Sequence, residues 1–134
     1  DAEFIRYGVM HRNTFLDSPR LLTAGYQLRK DPRLFFAGQM TGVEGYMESA
    51  ASGLLAGMNA ARLYRGQPLL TLPPETMMGA LAGYISGGAT ADFQPMGANF
   101  GILPPLEETI RDKRQRYAAL AQRALDRLAE TTDR

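Results

Sequence analysis

Leu34-Phe35-Phe36-Ala37-Gly38-Gln39-Met40-Thr41-Gly42-Val43-Glu44-Gly45-Tyr46-Met47-Glu48-Ser49-Ala50-Ala51-Ser52-Gly53-Leu54-Leu55-Ala56-Gly57 is the stretch on which the reading of this chain turns. Leu34 to Ala37 is an unbroken apolar run that stops at Gly38, the pattern expected of a central parallel strand covered on both faces. Gly38 to Gly45 is a glycine-rich loop, and Tyr46 to Tyr64 is a long helical stretch stopped by Gly66 and Pro68. Strand, loop and helix in that order predict an α/β fold. Such a loop brings backbone N–H groups and the positive end of a helix dipole to one point, where a phosphate, a carbonyl or an anionic ring edge is stabilised. Gly38, Gly42 and Gly45 are spaced G-x-x-x-G-x-x-G and not G-x-G-x-x-G, so the loop is not assigned to a pyrophosphate. The helix opens with Ser49, Ala50, Ala51, Ser52, Gly53, Ala56 and Gly57, and each glycine costs about 1 kcal/mol relative to alanine. Close approach is therefore expected, either by a sheet or by a flat ligand.

Upstream, Phe4 to His11 has the β-branched and aromatic content of an extended strand, ending in turn chemistry at Asp17-Ser18-Pro19. Leu21 to Leu28 is expected as a second extended piece, broken at Gly25 and closed by Asp31-Pro32. Downstream, a helix is expected from Glu75, with proline in its first turn, through Met77, Met78, Leu81, Ala82 and Ile85 to Gly87-Gly88. Gly87 to Leu106 shows little periodicity, but Phe93, Met96, Phe100, Ile102 and Leu103 argue that it is ordered. A last helix is expected from Glu107 to Glu130, with Ile110, Tyr117, Leu120, Ala121, Ala124, Leu125 and Leu128 on one face. Glu107 and Glu108 would then sit at its positive end.

With 45% hydrophobic and 22% charged residues, the chain has the composition of a folded globular protein. A formal net charge of +1 supplies no global field for nucleic acid, so an anion-binding surface must come from local clustering. The absence of cysteine removes disulfides, thiolate ligands and a cysteine nucleophile, and it fits a reducing, cytoplasmic setting. His11 stands alone, which supports neither a metal site nor a Ser-His-Asp arrangement, and a hydrogen-bonded role is expected for it. Apolar runs are too short for a membrane span. Asp1-Ala2-Glu3-Phe4 has no initiator Met and no signal-peptide pattern, and is expected to lie inside a longer protein.

The stretch from Leu34 to Gly57 resembles the second flavin-contacting segment of the TrmFO family, the folate- and flavin-dependent tRNA uracil-5-methyltransferases of the Gid group. The resemblance continues upstream in Met10-His11-Arg12-Asn13-Thr14-Phe15. Downstream it includes Phe93-Gln94-Pro95-Met96-Gly97-Ala98-Asn99-Phe100-Gly101-Ile102-Leu103-Pro104 and Arg111-Asp112-Lys113-Arg114. A sister family that modifies wobble uridines with carboxymethylaminomethyl groups shares the Ala-Gly-Gln, Gly-Tyr and small-residue features. It does not usually carry Val43-Glu44, the Met10–Phe15 motif or the Phe93–Pro104 motif.

The resemblance implies that this is a C-terminal part of an enzyme that moves a methylene group from 5,10-methylenetetrahydrofolate, by way of FAD and with NAD(P)H, to C5 of the T-loop uridine of tRNA. It implies an incomplete domain. Residues 1–33 would end an insertion, residues 34–66 would be the second strand-loop-helix of an FAD-binding Rossmann-like domain, and residues 67–134 would form a helical extension. Gly38, Gln39, Met40, Thr41, Gly42, Val43, Glu44, Gly45 and Tyr46 would face the flavin, Tyr46 by stacking on it or on an extruded uracil. Packing of Tyr46 on the sheet is the alternative. Gln39 would replace, by a neutral hydrogen bond, the Asp that many related flavoproteins use to hold the ribityl chain. The family's catalytic cysteines match no position, so no catalytic residue is assigned here, and the pyrophosphate site would lie in a separate N-terminal part. Glu44 and Glu48 fall one helical turn apart, although capping or solvation is favoured over acid–base work. Arg111, Lys113, Arg114 and Arg116, continued by Arg123 and Arg127, form either a tRNA-phosphate surface or a solvated face of ion pairs. The rival readings are a fragment of the wobble-uridine flavoprotein and a non-catalytic RNA-binding module.

Overall fold

The computed structural model describes residue 3 and residues 14–87 and 92–132 of the chain. The expected strand from Phe4 to His11, with His11, Arg12 and Asn13, lies outside the described residues. The described elements are α1 (Ser18–Leu21), β1 (Val43–Glu44), α2 (Tyr46–Tyr64), α3 (Met77–Ser86), β2 (Met96–Gly97) and α4 (Lys113–Thr132), with single 3-10 turns at Gln39–Thr41 and Phe100–Ile102. β1 and β2 pair in parallel, Val43 opposite Met96 and Glu44 opposite Gly97, so the fold is mixed α/β.

The apolar run is not the central strand that its composition predicts. Phe35 makes one antiparallel bridge to Gln27, the Leu28 N–H donates to the Leu34 carbonyl at 2.8 Å, and Leu34 is 47% exposed. A central strand needs a hydrogen-bonded neighbour on each edge, and among the described residues only the arm at Tyr26–Leu28 pairs with this run. The parallel pairing instead falls to Val43-Glu44 inside the glycine loop, where the Met96 N–H also donates to the Gly42 carbonyl at 2.8 Å. Residues 67–134, expected as a helical extension, thus supply one of the two described strands.

Leu21 to Leu28 is a tight hairpin and not one extended piece. Leu22 bridges Leu28, and the Thr23 N–H donates to the Gln27 carbonyl at 2.9 Å. The Thr23 hydroxyl oxygen accepts from the N–H groups of Gly25 (3.3 Å) and Gln27 (3.4 Å), a side-chain support for reversal that extended chains lack. Tyr26 completes the turn at φ 64, a conformation uncommon for a bulky residue. The turn expected at Asp17-Ser18-Pro19 winds into α1, whose early proline has the φ a first helical turn requires.

α2 has the expected bounds. α3 starts at Met77, later than expected, because Thr76 caps it: the Gly79 N–H donates to Thr76 Oγ1 at 3.0 Å, leaving Glu75 and the prolines outside. α4 likewise starts at Lys113 and not at Glu107. Asp112 Oδ1 accepts from the Gln115 N–H at 2.8 Å and sets the start there. Glu107 and Glu108 therefore precede the helix, and its first turn holds Lys113 and Arg114, cations at the end where they are disfavoured by about 0.3–1 kcal/mol each.

One core joins Leu22, Tyr26, Val43, Leu55, Ile85 and Phe93. A second joins Ala80, Leu103 and Leu120, holding α4 to α3 and the Phe100–Ile102 turn. Of the apolar α4 positions expected on one face, Leu120 is buried and Tyr117 and Ala124 partly so, whereas Ala121, Leu125 and Leu128 are exposed. Asn59, fully buried, ties α2 to both chain segments beside it. Its Nδ2 donates to the Gly25 (3.3 Å) and Leu70 (3.0 Å) carbonyls, and its Oδ1 accepts from the Leu70 N–H at 2.7 Å.

Candidate functional site

A cleft of about 740 Å³ opens at the start of α2, lined by Thr14, Phe15, Ala37, Gln39, Met40, Val43, Glu44, Gly45, Tyr46, Ser49 and Pro95. Its size falls within the range of about 300–1,000 Å³ usual for small-ligand sites. Six of the nine expected residues line it: Gln39, Met40, Val43, Glu44, Gly45 and Tyr46. Gly38, Thr41 and Gly42 stand behind it and hold the loop in shape. The Gly38 N–H donates to Ser52 Oγ at 2.8 Å, and the buried Thr41 hydroxyl donates to the Gly38 carbonyl at 2.7 Å.

Gly42 (φ 90) and Gly45 (φ 103) hold the left-handed backbone that turns the loop into β1 and then into α2. A Cβ at Gly42 would lie 2.5 Å from Phe93 Cζ, and one at Gly45 would run into the Glu48 carboxylate. No side chain caps α2, so its first N–H groups, which have no intrahelical acceptor, remain available at the positive end of the dipole. Apolar Phe15, Ala37, Met40, Val43 and Pro95 with polar Thr14, Gln39, Glu44 and Ser49 make a lining suited to a flat ring system with one hydrogen-bonding edge.

Tyr46 is 97% exposed at the mouth of the cleft, so its ring does not pack on the sheet. Glu44 lines the cleft, but Glu48 turns elsewhere, accepting from the Ala98 N–H at 3.0 Å and lining a separate apolar cavity of about 220 Å³ between α2 and α3. The two carboxylates thus do not share a site. Among the described residues no group of His, Asp and Glu is placed to hold a metal ion, and no helix is long and apolar enough to cross a membrane.

Arg111, Lys113 and Arg114 are exposed and take part in no salt bridge among the described residues, so the ion-paired face is not formed there. Arg116 donates weakly to the Ile110 carbonyl at 3.4 Å. Arg123 and Arg127 have structural partners instead: Arg123 donates to the Pro104 (2.6 Å) and Pro105 (2.8 Å) carbonyls, and Arg127 pairs with Glu130 (3.0 Å) and Glu75 (3.8 Å). Two features carried no periodic signal. One is the clamp at Asn59, and the other is the stacking of Phe100 on Tyr117, with ring centroids 4.2 Å apart and planes at 12°.

The sequence profile of the glucose inhibited division protein A family matches residues 1–68, half of the 134-residue chain. The chain belongs to this family. Within the glucose inhibited division protein A family, its relatives carry a consistent name. The protein of Enterococcus faecalis named methylenetetrahydrofolate–tRNA-(uracil-5-)-methyltransferase TrmFO is 62% identical over 126 residues, covering 94% of this chain and 29% of its own length. Those of the same name from Lactiplantibacillus plantarum (59% over 133 residues) and Syntrophomonas wolfei (57% over 132 residues) cover 99% and 98% of the chain and 30% of their own length. The chain thus spans about 30% of the length of the curated relatives it matches.

Proposed function

We propose that this chain is the C-terminal segment of an FAD-containing tRNA methyltransferase that transfers a methylene group from 5,10-methylenetetrahydrofolate to C5 of the T-loop uridine, with NAD(P)H as reductant. The observation that carries the reading is the cleft at the uncapped start of α2, built by the loop expected to face the flavin. The relatives' shared name supports folate and tRNA as co-substrate and substrate. Val43-Glu44 and the Phe93–Pro104 motif favour this reading over the wobble-uridine sister family.

In this reading Gly38 to Tyr46 form one wall of the flavin site. The N–H groups opening α2 stabilise negative charge at the ring's polar edge, Gln39 offers a neutral hydrogen bond, and Tyr46 is free to stack on a ring. FAD, when bound, supplies the carrier and reductant for the one-carbon unit. Cysteine chemistry and the pyrophosphate site come from another part of the protein, for which a cytoplasmic setting is proposed. Residues 34–66 would complete a Rossmann-like domain, flanked by residues 1–33 and 67–134.

The outer stripe of α2 supports this incompleteness. Tyr46, Met47, Leu54 and Met58 are exposed, and a Cβ at Gly53 or Gly57 would meet nothing within 4 Å. A small and apolar helix face suits close cover by another segment. The test is Gly45→Val in the full-length enzyme: strain at φ 103 and displacement of Glu48 should remove bound flavin. Wild-type flavin content in that variant would defeat the assignment of the cleft.

A further inference from the structure

We infer that the Phe100–Tyr117 pair, with the trough beside it, is a stacking site for an unpaired nucleobase of RNA. The trough holds about 390 Å³, and its walls include Phe100, Pro104, Glu108, Arg116 and Tyr117. It shares no lining residue with the cleft at α2. Phe100 is 36% exposed although its ring stacks on Tyr117, so aromatic surface remains open to solvent.

The charge around these rings selects the ligand. Lys113 Nζ lies 5.5 Å and the Arg116 guanidinium 5.7 Å from the Tyr117 ring centroid. Arg111, Lys113 and Arg114 make no salt bridge among the described residues, and the dipole of α4 adds positive potential at the same end. Three carboxylates are near in sequence: Glu107 is exposed, Asp112 is engaged in capping Gln115, and Glu108 lines the trough, where it can accept from a base amino or ring N–H. Rings that take a base face beside cations that take its phosphate form the combination by which proteins bind unpaired nucleotides.

This inference rests on the RNA reading of the basic segment, and the two are separable. The full-length enzyme, its Phe100→Leu and Phe100→Trp variants and an Arg111/Lys113/Arg114→Ala variant are titrated with tRNA at several salt concentrations. Phe100→Leu should weaken binding about 5- to 150-fold with an unchanged salt slope, and Phe100→Trp should restore it. The triple variant should instead flatten the slope of log K against log salt by roughly 0.7–0.9 per lost contact. Wild-type affinity in Phe100→Leu, with the triple variant weakened, overturns the stacking site alone. Unchanged affinity and slope in the triple variant overturn the RNA reading and this inference with it. Photocrosslinking of the unmutated enzyme to 5-bromouridine-substituted tRNA decides the matter if Phe100→Leu does not fold. Adducts on the peptides carrying Phe100 or Tyr117 uphold the site, and adducts confined to other peptides overturn it.

Discussion

Replacing Gly42 with alanine disturbs both the backbone and the core behind the cleft. At φ 90 an L-residue is strained by about 1–2 kcal/mol. The new methyl would also lie 2.5 Å from Phe93 Cζ and 2.8 Å from Cε1. Phe93 has little room to retreat, being 8% exposed and packed between Phe15 and Tyr84 at centroid distances of 5.9 and 5.7 Å. Overpacking of this kind costs about 1–3 kcal/mol, so the full effect should be about 2–5 kcal/mol. Because Gly42 leads directly into Val43 and Glu44 of the cleft wall, flavin content should fall with stability. The assay is the thermal midpoint and flavin-to-protein ratio of the full-length enzyme bearing Gly42→Ala, Phe93→Leu and both. The double variant should recover the packing part and keep the backbone part, a favourable coupling of about 1–3 kcal/mol. A Gly42→Ala enzyme with wild-type midpoint and flavin, or strictly additive effects in the pair, would refute the reasoning.

Asn59→Leu should destabilise by about 2–4 kcal/mol, because the Leu70 N–H and the Gly25 and Leu70 carbonyls lose their partner; chemical denaturation would reveal a smaller loss if those groups are readily solvated. Burial pushes the Tyr26 hydroxyl up to about 12 from 10.0, so the folded state favours the neutral phenol. Its contribution to stability is fully present below pH 10 and declines as pH rises to 12, by on the order of 2–3 kcal/mol, and Tyr26→Phe should flatten that decline in a pH series of unfolding midpoints. Parallel curves for the two proteins would show that Tyr26 ionises freely. Gly57→Leu enters open space here and gains helix propensity, yet it should lower the melting temperature of the full-length enzyme if another segment covers this stripe; a rise would remove that cover.

Signals that act over one or two turns were readable directly. Gly45, Gly66 and Pro68 bound α2, and its length follows from them. The family resemblance, together with the N–H groups that a glycine loop presents before a helix, pointed to Gly38–Tyr46; Gln39, Met40, Val43, Glu44, Gly45 and Tyr46 line the cleft, whereas Gly38, Thr41 and Gly42 do not. Helix starts were not fixed by such signals, since several residues compete to cap: Thr76 caps α3 in place of Glu75, and Asp112 caps α4 in place of Glu107.

The sequence by itself determined the α/β class, the helix from Tyr46 to Tyr64 and the family, all carried by local spacing and by a long motif. Only the tertiary structure decided that Val43-Glu44 pairs with Met96-Gly97, that Leu34 is exposed while Phe35 to Ala37 pack half-buried against the core, that Glu48 reaches Ala98 and that Phe100 meets Tyr117. Each of these joins residues distant along the chain. A two-residue strand has no periodicity to announce it, and an apolar run states only that burial is favourable, leaving the choice of neighbour to the packing of the whole.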